Sequence, residues 1–251
     1  MSGHSHWSTI RRKKGAADAK RGQLFTKLAK EITIAAREGG GDPGMNLQLQ
    51  YAIDRAKSQN MPKENIERAI KRGTGELKDG AQIEEITYEG YGPSGIALMI
   101  ECVTDNRNRA VADLRHTLNR YGGTFAEAGS VGWQFTRISY FAFPLNDLNP
   151  DEIFEFAVEA GADDVTFEDS LVEIFAAVES FKEISDRLKE ASIQPQEAEL
   201  RMIPNNETEL EIDETVQVLK VIEALEDLDD VQRVFSNLRL TDQIMEKLET
   251  A

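Results

Sequence analysis

Three stretches near the start of the chain repeat apolar residues at helical spacing. From Gln23 to Arg37, Leu24, Leu28, Ile32 and Ala35 fall on one stripe, and the Gly39-Gly40-Gly41 run predicts its end. Lys20, Lys27, Lys30 and Arg37 follow a second stripe, interrupted by Ile34. Asn46 is placed to cap a second helix carrying Leu49, Ala52, Ile53 and Ala56. Pro62 suits the first turn of a third, with Ile66, Ala69 and Ile70, which Gly73 stops. Residues 1 to 22 hold almost no large apolar side chain beyond Trp7 and Ile10, so they read as a polar arm.

After Gly80 the period changes to two. Ile83 to Glu89 and Ile96 to Val103 read as a hairpin joined through Gly90, Gly92, Pro93 and Gly95. A helix from about Asn108 to Tyr121 follows, carrying Val111, Leu114 and Leu118 and closed by Gly122-Gly123, then a short strand from Val131 to Phe135. Between Tyr140 and Ile203 the order is strand, helix (Asp151 to Ala160), strand, strand (Leu171 to Val178), helix (Phe181 to Ala191), strand, that of the split β-α-β ferredoxin-like unit. A helix from Glu214 to Leu225, a strand from Val231 to Leu238 and a terminal helix close the chain. Those last pieces are expected to complete the sheet begun at Ile83.

The predicted fold is therefore α+β in three domains. Residues 1–77 form a basic arm and helical domain, 78–135 with 206–251 a discontinuous α+β domain, and 136–205 a ferredoxin-like α+β domain inserted in it. A length of 251 residues suits two or three domains of ordinary size. No apolar run reaches the ~18 residues of a membrane helix, and the N-terminus lacks the apolar block of a secretory signal. It is read as mature protein despite an Arg-rich character faintly like a transit peptide. Cys102, the single cysteine, lies in an apolar run and is expected as a buried thiol in a reducing, cytoplasmic setting.

Charge divides the chain sharply. Residues 1–75 hold 15 of the 29 Lys and Arg but 7 of the 45 Asp and Glu, a local charge of +8 against −24 for the rest. A positive end of this kind is a site for a polyanion, or for the chain's own acidic part. Arg11, Arg12, Lys13, Lys14, Lys20, Arg21, Lys27 and Lys30 face only Asp18 within the first 30 residues, a local charge of +7. Such density binds phosphate backbones, with a log–log salt slope of about −4 to −5 for six contacts. Trp7 can stack on an unpaired base or anchor the arm.

A second basic cluster, Arg107, Arg109, Arg115, His116 and Arg120, surrounds the helix after Val103, with Asp113 one turn from Arg109. Cations at a helix N-terminus oppose its dipole, so Arg107 and Arg109 need local carboxylates or a bound phosphate. His4 and His6 lack the further ligands of a metal site. The acidic run Glu226, Asp227, Asp229, Asp230 lacks the glycine and spacing of a calcium loop and reads as a solvated turn. Gly39 to Gly41 are not followed by Lys-Ser or Lys-Thr, and no G-x-S-x-G or H-E-x-x-H occurs. No catalytic residue, metal or cofactor is assigned, and a non-enzymatic role is expected.

Several strings are more specific. Gly-His-Ser-His-Trp at 3–7, Asp-Ala-Lys-Arg-Gly at 18–22, Phe-Thr-Lys-Leu at 25–28, Gly-Gly-Gly-Asp-Pro at 39–43 and Asn-Met-Pro-Lys-Glu-Asn-Ile-Glu-Arg-Ala-Ile-Lys-Arg-Gly at 60–73 resemble the YebC/PmpR family. So do Tyr-Glu-Gly-Tyr-Gly-Pro at 88–93, Thr-Asp-Asn-Arg-Asn-Arg at 104–109 and Ala-Leu-Glu-Asp-Leu-Asp-Asp-Val-Gln at 224–232. The resemblance implies three domains, the first helical, and one of two functions. Bacterial members are described as cytoplasmic transcriptional regulators that bind promoter DNA. The mitochondrial relative activates translation of a cytochrome oxidase subunit, and some bacterial members act on ribosomes stalled at proline runs.

Two departures matter. His6 stands where the family usually has Lys, and Asn46-Leu47-Gln48-Leu49-Gln50 where it often has Asn-Pro-Arg-Leu-Arg. Three usual cations are missing, which moves the expected phosphate contacts from the second helix to Lys13 through Lys30. The reading is a nucleic-acid-binding regulator, with promoter DNA as the first partner and ribosomal RNA or mRNA as the alternative. The acidic domains are free to meet protein partners. A peripheral membrane binder using the helix from Gln23 to Arg37 is the rival of another class, and its apolar stripe looks like ordinary core.

Overall fold

In the computed structural model, residues 17–77, 83–146, 148–168, 170–241 and 244 are described. Helix α1 spans Ala17–Gly39, α2 Leu47–Ser58 and α3 Lys63–Gly73. Leu28, Ile32, Ala35 and Ala36 of α1 pack against Leu49, Ala52, Ile53 and Ala56 of α2 and Ile66 and Ala69 of α3 in one core. The helix predicted from Gln23 begins six residues earlier, at Ala17. Alanine, lysine and arginine are good helix formers, so propensity carries the helix upstream of its first core residue. The contact of α1 with α3 is close: a Cβ on Gly73 would collide with the Thr33 carbonyl. Thr33 itself bridges the two, donating to the Ala29 carbonyl at 2.8 Å and the Ala69 carbonyl at 3.2 Å. Pro62 sits at the N-cap of α3 and not in its first turn.

Asn46 caps α2, its Oδ1 accepting from the Leu49 N–H at 3.1 Å. Its Nδ2 donates to the Ala35 and Gly40 carbonyls at 2.7 and 2.8 Å, tying α2 to the end of α1. Asn46→Ala is expected to lower stability by about 1–2 kcal/mol, the upper part of the range for cap loss, because the buried Ala35 carbonyl and the part-buried Gly40 carbonyl also lose a donor. Thermal denaturation checks it, and a cost below that of an ordinary surface change would refute the bridging role.

Strands β1 (Glu84–Tyr91) and β2 (Ala97–Thr104) form the antiparallel hairpin, followed by α4 (Arg107–Arg120) and the short β3 (Thr124–Ala126). After β4 (Phe135–Pro144), α5 (Pro150–Glu159), β5 (Ala162–Glu168), β6 (Leu171–Ala176), α6 (Phe181–Glu190) and β7 (Glu197–Pro204), the chain adds α7 (Ile212–Glu226) and β8 (Val231–Ser236). The first sheet has the order β3-β1-β2-β8, with β8 antiparallel to β2, so the closing strand does complete the sheet begun at the hairpin. The second sheet has the order β5-β6-β4-β7, all neighbours antiparallel, as the ferredoxin-like pattern requires. Helices α4 and α7 cover one face of the first sheet through Leu98, Ile100, Leu114, Leu118, Val218 and Ile222. A second cluster, with Ala97, Met99, Phe135 and Phe235, takes in Met202 of β7 and so joins the two sheets.

The predicted strand from Val131 to Phe135 is absent. Gly132–Gln134 is a single 3-10 turn and β4 starts at Phe135. The cause lies 40 residues away, where the Glu89 carboxylate accepts the N–H groups of Gly129, Val131 and Gly132 at 2.7, 2.6 and 2.9 Å and curls the loop around itself. Burial acts to raise the Glu89 carboxyl, and these backbone donors hold it below its usual value instead. The edge strand β3 is likewise invisible to periodicity, being three residues long. The terminal helix expected after Leu238 lies almost wholly outside the described residues.

Candidate nucleic-acid interface

Of the expected phosphate contacts, Trp7, Arg11, Arg12, Lys13 and Lys14 lie outside the described residues. Lys20 and Arg21 belong to the first turns of α1, with Arg21 exposed. Lys27 and Lys30 do not reach outward. The basic stripe of α1 faces the acidic turn after α7: Gln23 Nε2 donates to the Asp227 carbonyl at 3.2 Å, and Lys27 Nζ donates to the Glu226 carbonyl. Lys30 Nζ meets the Asp229 carbonyl and Asp230 Oδ1, both at 2.8 Å. Farther along the same stripe, Arg37 donates to the Ile83 carbonyl.

The acidic run is therefore a docking turn: Asp227 and Asp229 stay exposed, as the solvated-turn reading expected, while Asp230 is buried. Its last carboxylate, Asp230, retains only 7% side-chain exposure. Arg109 grips it with Nε at 3.1 Å and Nη2 at 2.8 Å, and the Thr104 hydroxyl donates to it at 3.0 Å. Burial works to raise the Asp230 carboxyl, and the hydrogen bonds from Lys30 and Arg109 outweigh it, holding the group below the usual range. Arg109 also meets Asp105 at 2.8 Å, so the expected pairing with Asp113 is replaced by Asp105 and Asp230.

The other arginines of the second basic cluster are also engaged. Arg107 Nε donates to Glu84 Oε2 at 2.6 Å, Arg115 lies 5.1 Å over the Phe125 ring, and Arg120 lies 5.7 Å over Tyr121. Of the two partners expected for Arg107 and Arg109, local carboxylates or a phosphate, carboxylates are in place, one of them on a turn 121 residues away.

Between α1, α3 and this turn lies a cleft of about 1110 Å³. Two of its cations belong to no earlier expectation. Arg68 and Arg72 are exposed on α3, four residues apart, and among the described residues neither forms an ion pair. They share the cleft wall with Gly22, Gln23 and Thr26 from the first half of α1, the end at which the basic arm enters. Their signal was present in the string at 60–73: buried Ile66 and Ala69 fix the core face, which turns Arg68, Lys71 and Arg72 outward. Cys102 lies on the floor of the cleft with no exposed surface. Burial, then the neighbouring Asp230, pushes its thiol up to about 12, against the opposing pull of Lys30 and Lys27.

A second charge cluster joins all three parts of the chain. Glu199 on β7 meets Arg233 Nη1 of β8 at 2.7 Å, Arg201 Nη2 at 2.9 Å and Arg55 of α2 at 3.9 Å. Arg233 also reaches Glu101 of β2 at 2.9 Å, and Arg55 reaches Glu31 of α1 at 3.4 Å. Burial tends to raise the Glu199 carboxyl, yet Arg233, Arg201 and Arg55 bring it down to about 2. None of the described helices is long and apolar enough to cross a membrane.

A helical unit whose cationic face is divided between an internal acidic turn and an open cleft, joined to two antiparallel sheets of which one is sequentially enclosed by the other, defines a distinct class of α+β protein. Residues 5–76 match the model of the TACO1/YebC protein N-terminal domain, and residues 83–238 match that of the TACO1/YebC second and third domain. The chain belongs to the TACO1/YebC family. It is 50% identical over 250 residues to a "Probable transcriptional regulatory protein" of Chlorobaculum tepidum, covering 99% of both chains. It is also 50% identical over 248 residues to one of Geotalea uraniireducens, covering 99% of this chain and all of that one. A crystal structure of a conserved hypothetical protein from Aquifex aeolicus is similar, with a TM-score of 0.82 and 40% identity over 94% of this chain and 98% of the other.

Proposed function

We propose that this protein is a non-enzymatic regulator of gene expression that binds nucleic acid through its N-terminal part. The observation that carries this reading is the pair Arg68 and Arg72, unpaired among the described residues, on the same cleft wall as the helix into which the arm leads. An arm holding Arg11 to Lys14, followed by Lys20 and Arg21 and then by these two arginines, supplies cations in series, the arrangement a sugar-phosphate backbone takes. The body carries the opposite charge and is repelled by the same polymer, which leaves contact to the N-terminal part. Lys27 and Lys30 are not contacts in this docked state.

Relatives named as transcriptional regulatory proteins favour promoter DNA as the partner. Crosslinking in cells and sequencing the recovered nucleic acid tests the reading. Enrichment of DNA upstream of a set of genes is expected. Enrichment of ribosomal RNA or mRNA would move the protein to translation, and enrichment of none of these would refute nucleic-acid binding.

A further inference from the structure

The cleft does not present a positive field as it stands. Its lining includes Lys30, Arg68, Arg72 and Arg109, but also Asp105, Asp113, Asp227, Asp229 and Asp230, so among the described residues the acids outnumber the bases by one. Three of the five acids belong to the turn after α7. That turn approaches α1 in the manner of a phosphate backbone: the carbonyl oxygens of Glu226, Asp227 and Asp229 accept from Lys27, Gln23 and Lys30, and the Asp230 carboxylate takes a lysine, a two-nitrogen arginine grip and a hydroxyl. A lysine, an arginine fork and a hydroxyl form a donor set that also suits a phosphate.

Resting on the nucleic-acid reading above, we propose that the Glu226–Asp230 turn is an internal stand-in for phosphate, an autoinhibitory latch that occupies Lys27 and Lys30 until a polyanion displaces it. In the latched state the polymer has the arm, Arg68 and Arg72. Separation of α1 from the turn adds Lys27 and Lys30 to the binding surface and takes three of the five acids away from it. Because turn and polymer compete for the same lysines, each weakens the other by the same factor. The latch therefore sets affinity and salt dependence together.

Cys102 supplies a readout that does not depend on binding. It is the only cysteine, is fully buried on the cleft floor, and lies close enough to Lys27, Lys30 and Asp230 to feel their charges. Cys102 packs with Leu114 and Val231 on its core side and lines the cleft on the other, so lifting α1 away from the turn opens that second side. Three measurements on the full chain follow, using a thiol reagent for Cys102 and fluorescence anisotropy with a short DNA duplex and a short RNA strand over a range of salt. Adding the duplex or the strand to the native protein should speed the Cys102 reaction, by roughly fivefold or more if the coupling is of ordinary size. Asp230→Asn should speed the reaction without nucleic acid, tighten binding by roughly fivefold or more, and steepen the salt slope by about 1.4 to 1.8, the share of two further contacts. Lys30→Gln should also speed the Cys102 reaction but should not tighten binding, since it removes a contact along with the latch.

Circular dichroism of each variant separates unlatching from unfolding. Native protein and folded Asp230→Asn binding with equal affinity would overturn the latch and leave nucleic-acid binding standing. So would a Cys102 thiol as slow in Asp230→Asn as in the native chain. No binding by either form at low salt would refute the nucleic-acid reading, and the latch with it.

Discussion

Replacing Arg11, Arg12, Lys13 and Lys14 together with glutamine is expected to lower nucleic-acid affinity by about a thousandfold near 0.1 M salt and to reduce the magnitude of the log–log salt slope by about 3. The size follows from counterion release: each lost phosphate contact removes about 0.7 to 0.9 from the slope, hence close to a factor of ten in affinity at that salt. Arg68→Gln with Arg72→Gln should remove a further 1.4 to 1.8 or so from the slope, because those two side chains are held out from α3 with no carboxylate partner among the described residues. Lys27→Gln should differ in kind. It loses a hydrogen bond to the Glu226 carbonyl in the docked state, so part of its effect falls on the contact between α1 and the turn. Anisotropy titrations across a salt series measure all three. A slope that stays the same after loss of the four arm cations would rule out the arm as a phosphate contact, whatever happens to affinity.

Glu199→Gln is expected to have the largest effect on stability of any single surface-distant charge change, about 3 kcal/mol, equivalent to a fall of roughly 6–12 °C in Tm. The glutamine keeps the shape but removes the charge that compensates Arg201 and Arg233, of which Arg201 retains only 8% side-chain exposure and Arg233 31%. Each cation keeps one carboxylate, Glu197 for Arg201 and Glu101 for Arg233, and loses the one they share, which together with Arg233's residual exposure places the figure at the low end for a buried pair. Arg55→Ala, by contrast, removes a cation that is 45% exposed and should cost less than about 1 kcal/mol.

The same carboxylate gives a pH signature. Its folded value of about 2 lies below the ordinary 4.5, so the folded state binds the proton less tightly than the unfolded chain. The stabilisation is present above pH 4.5 and is lost as the pH falls from there toward 2. The Tm of the native protein should therefore drop more steeply over that interval than that of Glu199→Gln. Parallel curves would mean that the group has no depressed value.

Much of the fold is readable from spacing. Asn46 caps the helix it was expected to cap, the ferredoxin-like order emerges from strand and helix periods alone, and β8 pairs with β2. The missed strand has a distant cause, a remote group that overrode a local preference. Gly129 to Gly132 follow the Glu89 carboxylate and not the apolar pattern of Val131 to Phe135. The start of α1 erred for a local reason, since periodicity marks where a core face begins and helix propensity marks where the backbone begins to coil.

By itself, the sequence determined that the chain is charged in opposite senses at its two ends, that its first part is helical, and that a nucleic-acid backbone suits its cations. Periodicity and net charge are properties of residues in order, so they survive without coordinates. Only the tertiary structure decided how those cations are divided. Lys27 and Lys30 lie on the same helix and share the composition that recommended them for phosphate, yet the turn from Glu226 to Asp230 meets them first. Arg68 and Arg72, passed over in a string valued for its resemblance, are left facing the cleft. A charge's partner is fixed by separations of a few ångströms between residues up to 200 positions apart, and no one-dimensional pattern encodes them.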